Sequence, residues 1–179
     1  MALRALALDE VWWLVSPQNP LKPEDGMATL AERFDSALAV ARHPRLRVSA
    51  IEIHIGTRFT VDTVAELRRR FPRTRFVWLM GADNLAQINH WRHWHKVFTA
   101  VPIAALDRSP YSYSASASPA ARRFARARVP NRGAPVLADR QAPAWVFLRQ
   151  PIHPASATAI RAVSRPGRTG SGRERDRDQ

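Results

Sequence analysis

Apolar positions along the chain follow two rhythms that take turns. Short apolar or alternating runs rich in β-formers predict strands at 10–15, 46–53, 75–80, 101–106 and 144–148. Helical spacing fills the intervals. Residues 2–8 read as the last turns of a helix, and Met27, Leu30, Phe34, Leu38 and Val40 mark another, stopped by His43-Pro44. Val61, Val64, Leu67 and Phe71 form the apolar side of a helix opening at Thr60, with Thr60 or Asp62 as its cap. Further helices are expected from about Asp83, over 91–99, over 120–128 and over 155–163. Pro17, Pro20 and Pro23 predict a loop, as does the Ser-, Pro- and Tyr-rich stretch 107–117.

Strand and helix alternating in this way predict an α/β fold, a doubly wound, mostly parallel sheet covered on both faces. In such sheets ligands sit outside the carboxyl ends of the strands. Four polar segments follow strand ends here, at 16–22, 54–62, 81–91 and 107–111, and are expected to meet in one cleft. One domain is predicted over 1–163. Gly, Arg, Ser and Asp dominate 164–179, which predicts a disordered basic tail.

Composition narrows the function. The 179 residues carry a net charge of +13, and only Lys22 and Lys96 among the 28 basic residues are lysines. Arginine forks suit phosphate oxygens, so the basic body fits nucleotides, nucleic acid or acidic metabolites. Coding bias toward Arg, Ala and Pro is the plainer account of much of it. The absence of cysteine excludes disulfides, thiolate metal sites and cysteine nucleophiles, and fits a cytoplasmic protein. No apolar run approaches membrane-spanning length, and the first residues lack a signal-peptide pattern.

Several stretches together carry a resemblance. They are Asp9-Glu10-Val11-Trp12-Trp13-Leu14-Val15-Ser16-Pro17-Gln18-Asn19-Pro20-Leu21-Lys22, Phe59-Thr60-Val61-Asp62-Thr63, Trp78-Leu79-Met80-Gly81-Ala82-Asp83-Asn84-Leu85, Trp91-Arg92-His93-Trp94, and Ser156-Ala157-Thr158-Ala159-Ile160-Arg161. In this order and spacing the chain resembles bacterial nicotinate-nucleotide adenylyltransferase, in its alphaproteobacterial form, over about 3–163. The resemblance implies a Rossmann-like nucleotidyltransferase fold. It also implies an enzyme of NAD synthesis that joins ATP and nicotinate mononucleotide, with Mg²⁺ accompanying ATP, and releases pyrophosphate.

The same resemblance assigns roles. Ser156, Thr158 and Arg161 would hold ATP phosphates at a helix start, where free amides and hydroxyls suit an anion. Asp83 would lie near the nucleotide sugar or metal-bound phosphates, and Lys22 would reach a phosphate. Trp91 would stack on the nicotinate ring, with Trp94 as packing, and Thr60 would read the nicotinate carboxylate. Each has a plainer structural role open to it: a helix cap for Ser156, Asp83 and Thr60, a solvated cation for Lys22 and Arg161, core packing for Trp91. Arg108 is a weaker phosphate candidate. His90, His93 and His95 have no acidic ligand beside them and are expected at the surface, not around a metal; Glu52 and His54 are expected to be structural.

One motif of that family is not found: Gly-x-Phe-x-Pro-x-His-x-Gly-His, whose histidines bind ATP phosphates. No Gly precedes Gly26 and no His precedes His43. The expectation is that this strand and loop, with the catalytic histidines, belong upstream of Met1. Without that central strand, two neighbouring strands lose a pairing partner. The competing readings are a remnant that binds mononucleotide only and a nucleic-acid-binding module. The arginines are dispersed, and no nucleic-acid-binding signature accompanies them. Oligomeric state is not legible.

Overall fold

Every strand pairing is parallel, as the strand–helix alternation requires. The computed structural model describes residues 1–17, 28–107 and 111–149. Its strands are β1 (Val11–Leu14), β2 (Leu46–Ser49), β3 (Trp78–Gly81), β4 (Ile103–Leu106), β5 (Arg128–Val129) and β6 (Trp145–Leu148). They form two sheets: β1 with β2, and a four-stranded sheet in the order β3-β4-β6-β5.

The four-stranded sheet is covered on both faces because its side chains alternate. Ile103, Ala105, Trp145 and Phe147 point to one face, where they pack with Leu85, Ile88, Val97, Phe98 and Ala121. That face is covered by α5 (Ala82–Gln87), α6 (Trp94–Ala100), α7 (Ser112–Ser116) and α8 (Pro119–Arg123). Ala104, Val146 and Leu148 point the other way, onto Leu6 beyond α1 (Ala2–Ala5) and onto Ala134 and Leu137 of a 3-10 stretch, Asn131–Asp139. Trp145 is fully buried, and its indole N–H is satisfied by the Phe124 carbonyl at 2.8 Å.

Beside the smaller sheet lie α2 (Leu30–Val40), α3 (Ile51–His54) and α4 (Thr60–Arg70). A capping box between Thr29 and Glu32 starts α2. Arg33, one turn in, donates to the carbonyls of Ser16 (2.6 Å) and Pro17 (2.8 Å), fixing the exit of β1.

The structure corrects several element expectations. The strand expected over 46–53 ends at Ser49, and Ile51–His54 turns into α3, with Glu52 buried. Neither Thr60 nor Asp62 caps α4; Phe59 is the cap residue, and no side chain bonds there. The helix expected from Trp91 begins at Trp94, because Trp91 is extended and His93 takes a left-handed conformation at φ 48°. The loop expected over 107–117 contains α7, anchored by buried Ala115. The basic helix over 120–128 breaks after Arg123 into a 3-10 turn and then β5. The helix expected over 155–163, the boundary at 163 and the tail lie outside the described residues.

Candidate functional site

A cavity of about 1260 Å³ runs between the two sheets. All four residues of β1 and all four of β3 line it. Among the described residues β1 pairs only with β2 and β3 only with β4, and both strands line this space.

The cavity's two ends differ in charge. At the amino ends of the strands lie Asp9, Glu10, Arg73, Arg75 and Asp139. Here Glu10 and Asp139 are paired within the protein. Glu10 accepts from Trp12 and from Arg47 (2.6 Å), and the Trp12 indole, then Arg47, hold its carboxyl below the usual range. Arg75 pairs with Asp139. At the carboxyl ends lie Ser16, Arg58, Phe59, Thr60, Gly81, Asn84, His90, Trp91 and Arg92, with Glu52 the one acid among the described residues. This end is cationic. Three of the four expected polar segments contribute to it.

The segment 55–60 is held by a small polar network. Glu52 is 7% exposed, and its Oε1 accepts the Thr63 hydroxyl at 2.8 Å. Thr57 and Thr63 share a hydroxyl–hydroxyl bond of 2.9 Å. A carboxylate only accepts, so the Thr63 proton goes to Glu52 and the Thr57 proton to Thr63. The Phe59 carbonyl accepts from the amides of Asp62 (2.9 Å) and Thr63 (3.0 Å). Phe59 is thereby fixed at the start of α4, and the Arg92 guanidinium carbon lies 4.8 Å from its ring centroid.

Of the residues singled out in the sequence, Thr60 and Trp91 both line the cavity. Trp91 is half-buried and, like Trp94, packs against the core on one face of the four-stranded sheet; Trp94 also lies edge-on to Phe98 and Phe124. Asp83 is not among the lining residues; its carboxylate folds back over Gly81, where an added Cβ would come 2.2 Å from Asp83 Oδ1. That position tolerates only glycine unless Asp83 moves. His90 reaches the cavity, whereas His93 and His95 are exposed and contact each other edge to face. Among the described residues no three metal-ligating side chains cluster. Lys22, Arg108, Ser156, Thr158 and Arg161 lie outside the described residues. Sequence reasoning treated Glu52 as structural, which it is, but missed that it braces the cavity wall; Arg92 was quoted only as part of a motif.

A doubly wound parallel fold with a cationic cleft at strand carboxyl ends is the frame of a nucleotide-handling protein. The cytidylyltransferase-like family profile matches residues 1–163. The probable nicotinate-nucleotide adenylyltransferase of Bradyrhizobium sp. (strain ORS 278) is 52% identical over 160 residues, covering 89% of this chain and 83% of its own. The Ruegeria pomeroyi protein of the same name is 49% identical over 162 residues, 90% of this chain and 76% of its own. The chain belongs to the cytidylyltransferase-like family and, within it, to the nicotinate-nucleotide adenylyltransferases. The fold also matches Plasmodium falciparum nicotinic acid mononucleotide adenylyltransferase complexed with NaAD. There the TM-score is 0.60 at 12% identity, over 87% of this chain and 69% of that one. No helix among the described residues is long and apolar enough to cross a membrane.

Proposed function

We propose that the protein transfers the adenylyl group of ATP to nicotinate mononucleotide, giving nicotinate adenine dinucleotide and pyrophosphate. The observation that carries this reading is that Thr60 and Trp91 line one cationic cavity, within a chain half identical to relatives of that name.

In the reaction, an oxygen of the mononucleotide phosphate attacks the α-phosphorus of ATP. The new P–O bond forms as the bond to the β-phosphate oxygen breaks, and that electron pair leaves with pyrophosphate. No covalent enzyme intermediate is needed. The protein's task is to align two anions and to stabilise charge on five-coordinate phosphorus.

Trp91 is the ring contact for the pyridine, and Thr60, at the uncapped start of α4, offers its amide and hydroxyl to the ring's carboxylate. Ser156, Thr158, Arg161 and Lys22 serve the ATP phosphates, with Asp83 near the sugar or the metal-bound phosphates. Mg²⁺ commonly keeps several waters and is held by substrate phosphates with one or two carboxylates. Asp83, in the first turn of α5, offers one carboxylate, which would have to turn away from Gly81 to reach such an ion, and the ion would lower the charge on the transferring phosphates.

The cavity between β1 and β3 is, in this reading, also the seat of one further parallel strand bearing the Gly- and His-containing loop of the family pattern. Residues 1–163 then form one nucleotidyltransferase domain, followed by a basic tail. The enzyme would work in the cytoplasm. Nucleic acid is the less favoured ligand, since the arginines are dispersed along the chain rather than set in one stripe.

Titration calorimetry with nicotinate mononucleotide tests the mononucleotide half of the reading. Saturable one-site binding is expected. A folded chain that gives no heat with it would refute the assignment of Thr60 and Trp91.

A further inference from the structure

Three arginines surround a second depression, of about 490 Å³, which shares no lining residue with the large cavity. Arg126 comes from the 3-10 turn Ala125–Ala127, Arg128 opens β5, and Arg140 follows the 3-10 stretch Asn131–Asp139. All three are exposed, so a solute can reach them. No acid lines the depression, and among the described residues none of the three forms an ion pair. Asp139, next to Arg140 in the chain, is taken by Arg75. The Arg128 guanidinium carbon lies 5.1 Å from the Trp145 ring centroid. That ring is 1% exposed and held by its N–H on the Phe124 carbonyl. Arg128 thus rests on an immobile face that offers no oxygen acceptor, and its N–H fork keeps its capacity for an anion.

We propose that this depression is a second anion site, which takes a compact ligand of linked phosphate groups such as inorganic pyrophosphate. Like charges around one pocket repel, and a bound polyanion removes that repulsion. Guanidinium forks bond phosphate oxygens in pairs, and three of them match the several charges of linked phosphates better than the one charge of a carboxylate. No aromatic side chain lines the pocket, so it reads phosphates and not a base. The site is separate from the proposed reaction. Arg128 is in register with Trp145, the first residue of β6, which puts the pocket at the amino ends of these strands, whereas the cationic end of the large cavity lies at carboxyl ends. In the order β3-β4-β6-β5, β5 also stands three strand spacings from β3, about 14 Å.

The test is calorimetric titration of the full chain with inorganic pyrophosphate at physiological salt. Binding in the large cavity would survive changes at this pocket, so the signal is the difference between proteins. Arg126→Gln combined with Arg140→Gln should weaken pyrophosphate by about a hundredfold, as expected for two lost charge-assisted contacts, and Arg140→Gln alone by about tenfold. An unfolding midpoint no lower than that of the unchanged chain would exclude a folding defect. Arg42→Gln combined with Arg68→Gln makes the same change of net charge at exposed residues outside both cavities and should leave the binding unaltered. With ATP as titrant, a loss of the same size in the pocket variant extends the site to the phosphate chain of a nucleotide, and no loss confines it to the free ion. Equal losses in the pocket variant and the charge-matched control, or no loss in the pocket variant, overturn the proposal. So does a single-stranded oligonucleotide that displaces pyrophosphate from the pocket at far lower concentration, which would make the arginines a nucleic-acid contact.

Discussion

Glu52 and Thr63 meet through a 2.8 Å hydrogen bond beneath the cavity wall, the first 7% exposed and the second fully buried. Eleven residues apart, they join α3 to α4. Thr63→Val removes the donor and keeps the shape, leaving a buried carboxylate without that bond. The expected loss is ~1–3 kcal/mol, read from urea unfolding. Glu52→Gln keeps an acceptor and sheds the charge, so it should cost less than Thr63→Val. Equal, negligible costs for both variants would mean that the network does not hold this segment.

Trp91→Ala should weaken nicotinate mononucleotide by ~1–3 kcal/mol, taking base–aromatic stacking as the guide, with little change for ATP. Direct titration with each nucleotide decides it. Parallel losses would make Trp91 a packing residue.

Arg161→Ala should instead weaken ATP by ~1.5–3 kcal/mol through loss of a charge-assisted phosphate contact, and spare the mononucleotide. An unchanged ATP titration would leave Arg161 no role at the phosphates.

Acid sensitivity has a local source in α4. Glu66 bonds Arg69 (2.7 Å) and Arg70 (2.6 Å), and these bonds, Arg69's first, bring its pKa down from 4.5 to about 2. A carboxyl depressed in the folded state adds stability above its unfolded pKa and loses it as pH falls through the folded value. The window is therefore about pH 4.5 down to 2. The arginines are 68% and 44% exposed, so salt screens the effect. Glu66→Gln should flatten the fall of the unfolding midpoint across that window, most clearly at low salt. An identical slope in both proteins would assign acid sensitivity elsewhere.

What the sequence disclosed and what it hid follow from the range of the interactions. The strands Val11–Leu14, Ile103–Leu106 and Trp145–Leu148 sit within expected runs because burial on one or both faces writes itself into consecutive residues. The turn into Ile51–His54 was hidden, since Ile51 and Ile53 continue the alternation of Leu46 and Val48. Glu52, in that turn, is tied to Thr63, which lies in another helix. Ser112–Ser116 reads as loop by composition and becomes helical by burying Ala115 against α5 and Ala120. Thr60 and Trp91 stand out through the family motif alone, and both line the cavity. Arg92 does not stand out, because its defining contact is with Phe59, 33 positions back in the sequence.

The most direct measurement supplies ATP, Mg²⁺ and nicotinate mononucleotide and follows dinucleotide and pyrophosphate together. Two proteins are compared: residues 1–179, and the same chain preceded by a strand and loop of the Gly-x-Phe-x-Pro-x-His-x-Gly-His pattern. The strand is expected to fill the cavity between β1 and β3, and the loop to bring donors to the transferring phosphate. Loss of one such donor costs roughly 10²–10³ in rate, so the extended protein should turn over at least about a hundredfold faster. Equal rates in the two proteins would contradict the role given to the cavity, and no dinucleotide from the extended protein would contradict the adenylyl transfer itself.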